Sequence, residues 1–155
     1  MRQRRVPYSN AMEQHVFTLE AVNALVPHLA EVVGKQLELR REIEERLQEL
    51  AEELGEVPSN LETRLADCPR VRMLKRELLE LVPDYQRGWK EVEELGAVVK
   101  DARTGLCDFY GNIDGNLVWL CWQFGESEIT HYHSLDEGFS ARKAIRDTIR
   151  KLSLN

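Results

Sequence analysis

The sequence has few cysteines, no long apolar run and no extended basic segment, and each shortage argues against a class of protein. Its 155 residues include three cysteines, an odd number without a CxxC spacing, which predicts reduced thiols in the cytoplasm. No apolar run approaches the ~20 residues of a membrane span, so no membrane partner is predicted. The net charge is −6 and basic residues cluster only at Arg2, Arg4 and Arg5, so no nucleic-acid partner is predicted either.

The first residues differ from the rest of the chain. Ser9-Asn10-Ala11 precedes Met12, a pattern typical of the scar left by a cleaved tag. The predicted boundaries are a disordered or tag-like tail at 1–16, a single domain at 17–142 with a helical hairpin at 17–97 and a β-meander at 98–139, and a C-terminal helical tail at 143–155.

Two long helices are predicted from apolar residues that recur at steps of three and four. The first begins after an N-cap at Thr18 and ends at Gly55, and the second has Pro69 in its first turn and ends at Gly96. The 39–43–47 spacing breaks a strict heptad, so a regular coiled coil is not implied. A helix from 18 to 54 would be about 55 Å long and needs a partner along its whole length.

Short strands separated by turn residues follow the helices. Leu117 to Phe124 is apolar on both faces, which predicts a central strand that is covered on both sides. A two-residue Asp-Gly turn would offset Cys107 and Cys121 by one position, whereas other registers would place them opposite each other. The predicted fold class is α+β: a long antiparallel helical hairpin packed with a three- to four-stranded antiparallel β-meander and a short C-terminal helix at 140–152.

Three segments resemble an uncharacterised prokaryotic protein family, number 2203 of the domain-of-unknown-function series. They read FTLEAVNALVPHL, LGAVVKDARTGLCDF and LCWQFGESEITHYHSLDEGFSAR, and the resemblance covers roughly residues 16–142. The matching positions are Gly105, Asp108, Phe109, Leu120, Cys121, Trp122, Gly125, Glu126, His133, Gly138, Phe139 and Arg142. The departures are Gln123, His131, Tyr132 and Ala141. The family has no established activity, so the resemblance implies an architecture and no reaction.

A metal site is one reading of the histidines near the C-terminus. His131 and His133 are two positions apart on a predicted strand, so both point to one face. Two imidazoles so placed share a metal when a carboxylate joins them, and the predicted set is Glu126, His131, His133 and Asp136 around a divalent ion such as zinc. The alternative is a packed or hydrogen-bonded histidine pair, because the spacing is less specific than HExxH.

Asp108 and Arg142 are the candidate ligand-binding residues. Arg142 is expected either to pair with Glu126, tying the sheet to the C-terminus, or to anchor an anion. Asp108 either faces solvent or points inward as a partner of His133 or Arg142. An Asp–His pair would be the start of a general base, but the sequence places no nucleophile beside it.

Two functions are therefore predicted. The first is a non-enzymatic, cytoplasmic interaction module that forms homo-oligomers through its long apolar stripe. The alternative is a metal- or small-ligand-binding protein, including a metal-dependent hydrolase, with its site at the rim of the β-sheet. Whether the protein is an enzyme stays open at this stage.

Overall fold

A computed structural model of the protein describes residues 15–146. The elements in chain order are α1 (Leu19–Leu54), α2 (Pro69–Glu94), β1 (Val98–Asp101), β2 (Leu106–Ile113), β3 (Asn116–Gln123), β4 (His131–His133), a 3-10 turn (Phe139–Ala141) and β5 (Lys143–Ala144). Two helices and an antiparallel sheet confirm the predicted α+β class. Among the described residues, no helix combines the length and the apolar content that a membrane span requires.

Both helices begin and end where local chemistry satisfies their free backbone groups. The Thr18 hydroxyl accepts a hydrogen bond from the Ala21 amide at 3.1 Å, as the predicted N-cap requires. Gly55 ends α1 in the left-handed conformation with φ 77°, and its amide donates to the Ala51 carbonyl. Pro69 starts α2, where its missing N–H costs no helical hydrogen bond.

The apolar stripe of α1 is covered by α2 and, in its N-terminal half, also by the sheet. The C-terminal half packs on α2, where Leu50 is buried with Val71, Leu74 and Leu78. The N-terminal half packs on the end of α2 and on the sheet, in a core that contains Val22, Val26, Leu29, Val33, Val92, Phe109 and Trp122. The 36-residue helix therefore finds cover along its length inside one chain.

The sheet has five strands in the order β1-β2-β3-β4-β5, one more than the largest number predicted. The additional strand is β5, which pairs with β4 at His131↔Ala144. Residues 143–144 were predicted to be helical, and this part of the prediction is wrong, because they complete the edge of the sheet instead. Residues 145 and 146 are helical. The rest of the predicted C-terminal helix, and residues 1–14 of the predicted tail, lie outside the described residues.

The β2–β3 turn determines which side chains share a face. Asp114 and Gly115 have φ of 55° and 80°, the conformation of a tight two-residue hairpin turn. Cys107 consequently pairs with Trp122 and Asp108 pairs with Cys121, which confirms the predicted offset of one. Cys107 belongs to the core beneath the helices, whereas Cys121 lies on the opposite face of the sheet, here called the outer face.

Candidate functional site

Three side chains with metal-binding chemistry meet on the outer face of the sheet. Asp108 comes from β2, Cys121 from β3 and His133 from β4. Their ligand atoms all lie within 4.8 Å of one another, and within residues 15–146 no other group of three or more His, Cys, Asp or Glu does so. The exposed fractions of these residues are 1%, 1% and 2%, so the cluster is buried although the helices cover the other face.

Both ring nitrogens of His133 are engaged. Nδ1 lies 2.9 Å from the Ser134 carbonyl oxygen, which can only accept, so Nδ1 carries a proton and donates it. Nε2 lies 3.0 Å from Oδ2 of Asp108, and a single proton between these two atoms completes that hydrogen bond. The ring orientation is therefore determined by a backbone carbonyl on one side and a carboxylate on the other.

The hydrogen bond to His133 uses only one of the two carboxylate oxygens of Asp108. Its other oxygen, Oδ1, is buried and has no hydrogen bond of regular geometry among the described residues. Burial raises the pKa of Asp108, whereas the charge of His133 and then the nearby Cys121 thiol lower it. A buried carboxylate oxygen without a well-formed hydrogen bond is costly, so a cation at this position would stabilise the site.

Cys121 completes the cluster as a protonated thiol. Burial, followed by the neighbouring Asp108 carboxylate, raises its pKa to about 12, while the Arg142 guanidinium acts in the opposite direction. His133 directs Nε2 to Asp108 instead of to the sulfur. The arrangement therefore lacks the Cys–His hydrogen bond of a thiol nucleophile and its base.

Aromatic side chains cover one side of the cluster. Trp119, which pairs with His133 in the sheet register, is 6% exposed. The Tyr110 ring lies on it with a centroid separation of 4.0 Å, and Lys100 Nζ lies 4.1 Å from the centroid of the Trp119 ring. These contacts exclude water from the hydrogen-bonded pair and place a positive charge near Asp108.

Arg142 is close enough to the cluster for its charge to lower the pKa of Cys121. Its Nη1 donates to both carboxylate oxygens of Glu126, at 3.0 and 3.3 Å, which confirms the expected pair between the sheet and the C-terminal segment. The guanidinium carbon also lies 4.3 Å from the centroid of the Phe139 ring. Arg142 is thus held in place at the boundary between the buried cluster and solvent.

The four residues predicted as metal ligands do not come together as a set. Glu126 pairs with Arg142, and Asp136 accepts a hydrogen bond from the Ser134 hydroxyl at 2.8 Å. His131 Nδ1 lies 2.8 Å from the Thr130 hydroxyl. Of the four, only His133 belongs to the cluster, and its partners come from other strands.

Sequence reasoning placed Asp108 beside His133 as one of its alternatives but did not combine Cys121 with these two residues in one site. The Asp-Gly turn was an available signal, because the offset of one puts Cys121 opposite Asp108. A second signal was the family resemblance, since all three residues are at matching positions while His131 is a departure.

Comparison with curated proteins and with solved structures finds no significant match to this chain. A protein-family model, described as an uncharacterized conserved protein, matches residues 15–145. The matched span contains both helices, all five strands and every residue of the cluster. The chain therefore belongs to the family DUF2203.

Proposed function

We propose that this protein binds one divalent metal ion, with zinc the best chemical match, through Asp108, Cys121 and His133. The observation that carries the proposal is the convergence of a thiol, an imidazole and a carboxylate within 4.8 Å in a buried site. Zinc is commonly bound by these three donor types. When deprotonated, the thiol and the carboxylate supply two negative charges beside a neutral imidazole, which balances a divalent ion.

The surroundings of the cluster fit such an ion. Metal-ligating histidines usually donate their second ring N–H to a carboxylate or a backbone carbonyl, and His133 makes that bond to Ser134. Tetrahedral zinc would hold the His133 nitrogen and the Asp108 oxygen about 3.3 Å apart. These atoms are 3.0 Å apart here, so only a small opening of the pair is needed.

The binding test uses cobalt(II) as a spectroscopic substitute for zinc. The folded protein is stripped with a chelator and titrated with Co²⁺, and elemental analysis follows zinc in parallel. We expect one ion per chain and a near-ultraviolet band from cobalt–thiolate charge transfer, because the proposed site has a single sulfur ligand. Replacing Cys121 with Ser should remove that band, and Asp108→Asn should weaken binding by at least about tenfold.

Two neighbouring residues supply matched controls. Cys107→Ser removes the other buried thiol, which lies on the opposite face of the sheet, and His131→Ala removes the other β4 histidine. Both variants should keep the band and the stoichiometry, with folding checked by circular dichroism. A folded wild-type protein that binds no Co²⁺ or Zn²⁺ would refute the proposal, and so would a Cys107→Ser variant that loses the band.

A metal-dependent hydrolase is a finer version of this proposal. Three protein ligands leave one coordination position, which zinc enzymes fill with water or substrate. The Asp–Cys–His set is compatible with that geometry, but it identifies no substrate. Metal binding is therefore the function proposed, with hydrolysis as its testable extension.

Self-association stays a prediction. It was predicted because α1 needs a partner along its length, and α2 and the sheet supply that cover within the same chain. Sedimentation at micromolar concentration that detects only monomer would refute self-association. A cytoplasmic setting also stays a prediction, supported by the three free thiols at Cys68, Cys107 and Cys121.

A further inference from the structure

We infer that the helical hairpin binds a second copy of this chain through two oppositely charged faces, one on α1 and one on α2. Both faces lie outside the core that the hairpin forms with the sheet. Each copy carries both, so each copy offers what the other binds. The inference is independent of the proposed metal site, because no residue of the Asp108, Cys121 and His133 cluster takes part.

The first face is a line of glutamates on α1, here called the acidic stripe. Between residues 38 and 53 this helix contains seven glutamates and three arginines. Five of the glutamates recur at steps of four and three, so they lie on one side of the helix over about 21 Å. All five are exposed or half-buried. The acidic stripe consists of Glu38, Glu42, Glu45, Glu49 and Glu52.

The second face lies at the start of α2 and is here called the basic patch. Residues 69–79 contain four basic side chains and one glutamate, in a protein whose net charge is −6. Arg72 and Arg76 are exposed and one turn apart. Met73 and Leu79 beside them are 42% and 52% exposed, and these four residues make up the patch. The two apolar side chains add contact area to an interface that exposed charges alone would hold weakly.

Ion pairs within the chain leave much of both faces free. Glu49 pairs with Arg70 across the two helices, and Arg41 lies 3.9 Å from Glu45. The other charged members of the two faces form no ion pair within residues 15–146, and they are Glu38, Glu42, Glu52, Arg72 and Arg76. These charges are therefore available to a partner.

The two faces match each other in charge and in spacing. The glutamates of the acidic stripe recur about once per turn, and Arg72 and Arg76 have the same separation of one turn. When α2 of one copy lies alongside α1 of another, both arginines can therefore face glutamates. A second copy fits better than a nucleic acid or an anionic membrane, because the acidic stripe on the same hairpin repels phosphate groups.

The test is a charge swap followed by analytical ultracentrifugation of the full chain at micromolar concentration. One variant carries Glu38→Lys with Glu52→Lys, and the other carries Arg72→Glu with Arg76→Glu. Each variant alone should be monomeric, with a dimer dissociation constant raised by at least about 100-fold, because like charges then face each other. An equimolar mixture of the two should form a heterodimer, because opposite charges face each other again.

Two further measurements are controls. Arg103→Glu with Lys143→Glu reverses two basic residues near the sheet and should leave the wild-type dissociation constant unchanged. Raising the ionic strength from about 0.1 M to about 1 M shortens the Debye length from about 10 Å to about 3 Å and should weaken the wild-type dimer by at least about tenfold. Circular dichroism checks that every variant is folded.

Three results would overturn the inference. The first is a wild-type protein that stays monomeric at low salt, including one whose basic patch binds anionic vesicles instead. The second is a folded variant of either kind that dimerises as the wild type does. The third is a mixture of the two variants that stays monomeric although the wild type dimerises. None of these results bears on the metal site, which the cobalt titration tests separately.

Discussion

The crossing of α1 and α2 makes a sharp prediction about Gly88. The Gln36 side chain of α1 is 1% exposed, lies against Gly88 and donates to the Tyr85 carbonyl of α2. A Cβ at position 88 would lie 1.9 Å from Oε1 of Gln36 and 2.3 Å from its Cδ. Gly88→Ala should therefore expel the buried amide from its position.

The magnitude follows from two opposing effects. A buried amide that is expelled and loses its partner costs about 1–3 kcal/mol. Alanine in place of glycine within a helix stabilises the protein by about 1 kcal/mol. Taking the middle of the first range, Gly88→Ala should lower the free energy of unfolding by about 1 kcal/mol.

Urea denaturation measures this change, and Gly34→Ala is the matched control. Gly34 also lies within a helix, but its Cβ would meet only the Phe124 ring, at 3.3 Å. That ring is 39% exposed and can move, so Gly34→Ala should stabilise the protein by up to about 1 kcal/mol. In a Gln36→Ala background, Gly88→Ala should lose its cost and stabilise the protein instead, giving a coupling energy of about 2 kcal/mol. Equal effects at positions 34 and 88, or no coupling to Gln36, would refute the reasoning.

Two further predictions concern titratable groups. Cys68 is exposed whereas burial raises the pKa of Cys107 and of Cys121 to about 12, so Ellman's reagent at pH 8 should label one thiol in the native protein and three after unfolding. Rapid native labelling of all three would contradict the buried positions. Asp67 accepts hydrogen bonds from the Arg64 backbone amide and from the buried Lys75 ammonium. Both lower the pKa of Asp67, and the Arg64 amide has the larger effect. The ionised carboxylate therefore stabilises the folded state above about pH 4, and this contribution is lost as the pH falls through the folded-state pKa of Asp67. The urea midpoints of the wild type and of Asp67→Asn should consequently differ at neutral pH and become equal at low pH.

The helices were predictable because their determinants are local. Thr18, Gly55 and Pro69 satisfy or remove backbone groups within one turn of themselves, so their effect can be recognised without tertiary contacts. The number of strands was less predictable. β5 has two residues and exists because β4 offers it an unpaired edge, a condition that no local pattern reveals.

The candidate site shows the same division. The spacing of His131 and His133 suggested a shared metal, but each imidazole is engaged by a different neighbour. The prediction from sequence proximity therefore grouped residues of one strand with residues of the two loops that flank it. The cluster that forms takes one residue from each of three adjacent strands, because side chains on one face of a sheet meet across strands.

The sequence by itself determined the two amphipathic helices, the Asp-Gly hairpin and the doubly covered strand β3, since periodicity, caps and turn residues act over a few positions. Only the tertiary structure decided that the sheet joins α2 in covering the N-terminal half of α1, and that Asp108, Cys121 and His133 share one buried site. The physical reason is that packing and strand register join residues far apart in the chain. Asp108 and His133 are 25 positions apart, yet their side chains are 3.0 Å apart.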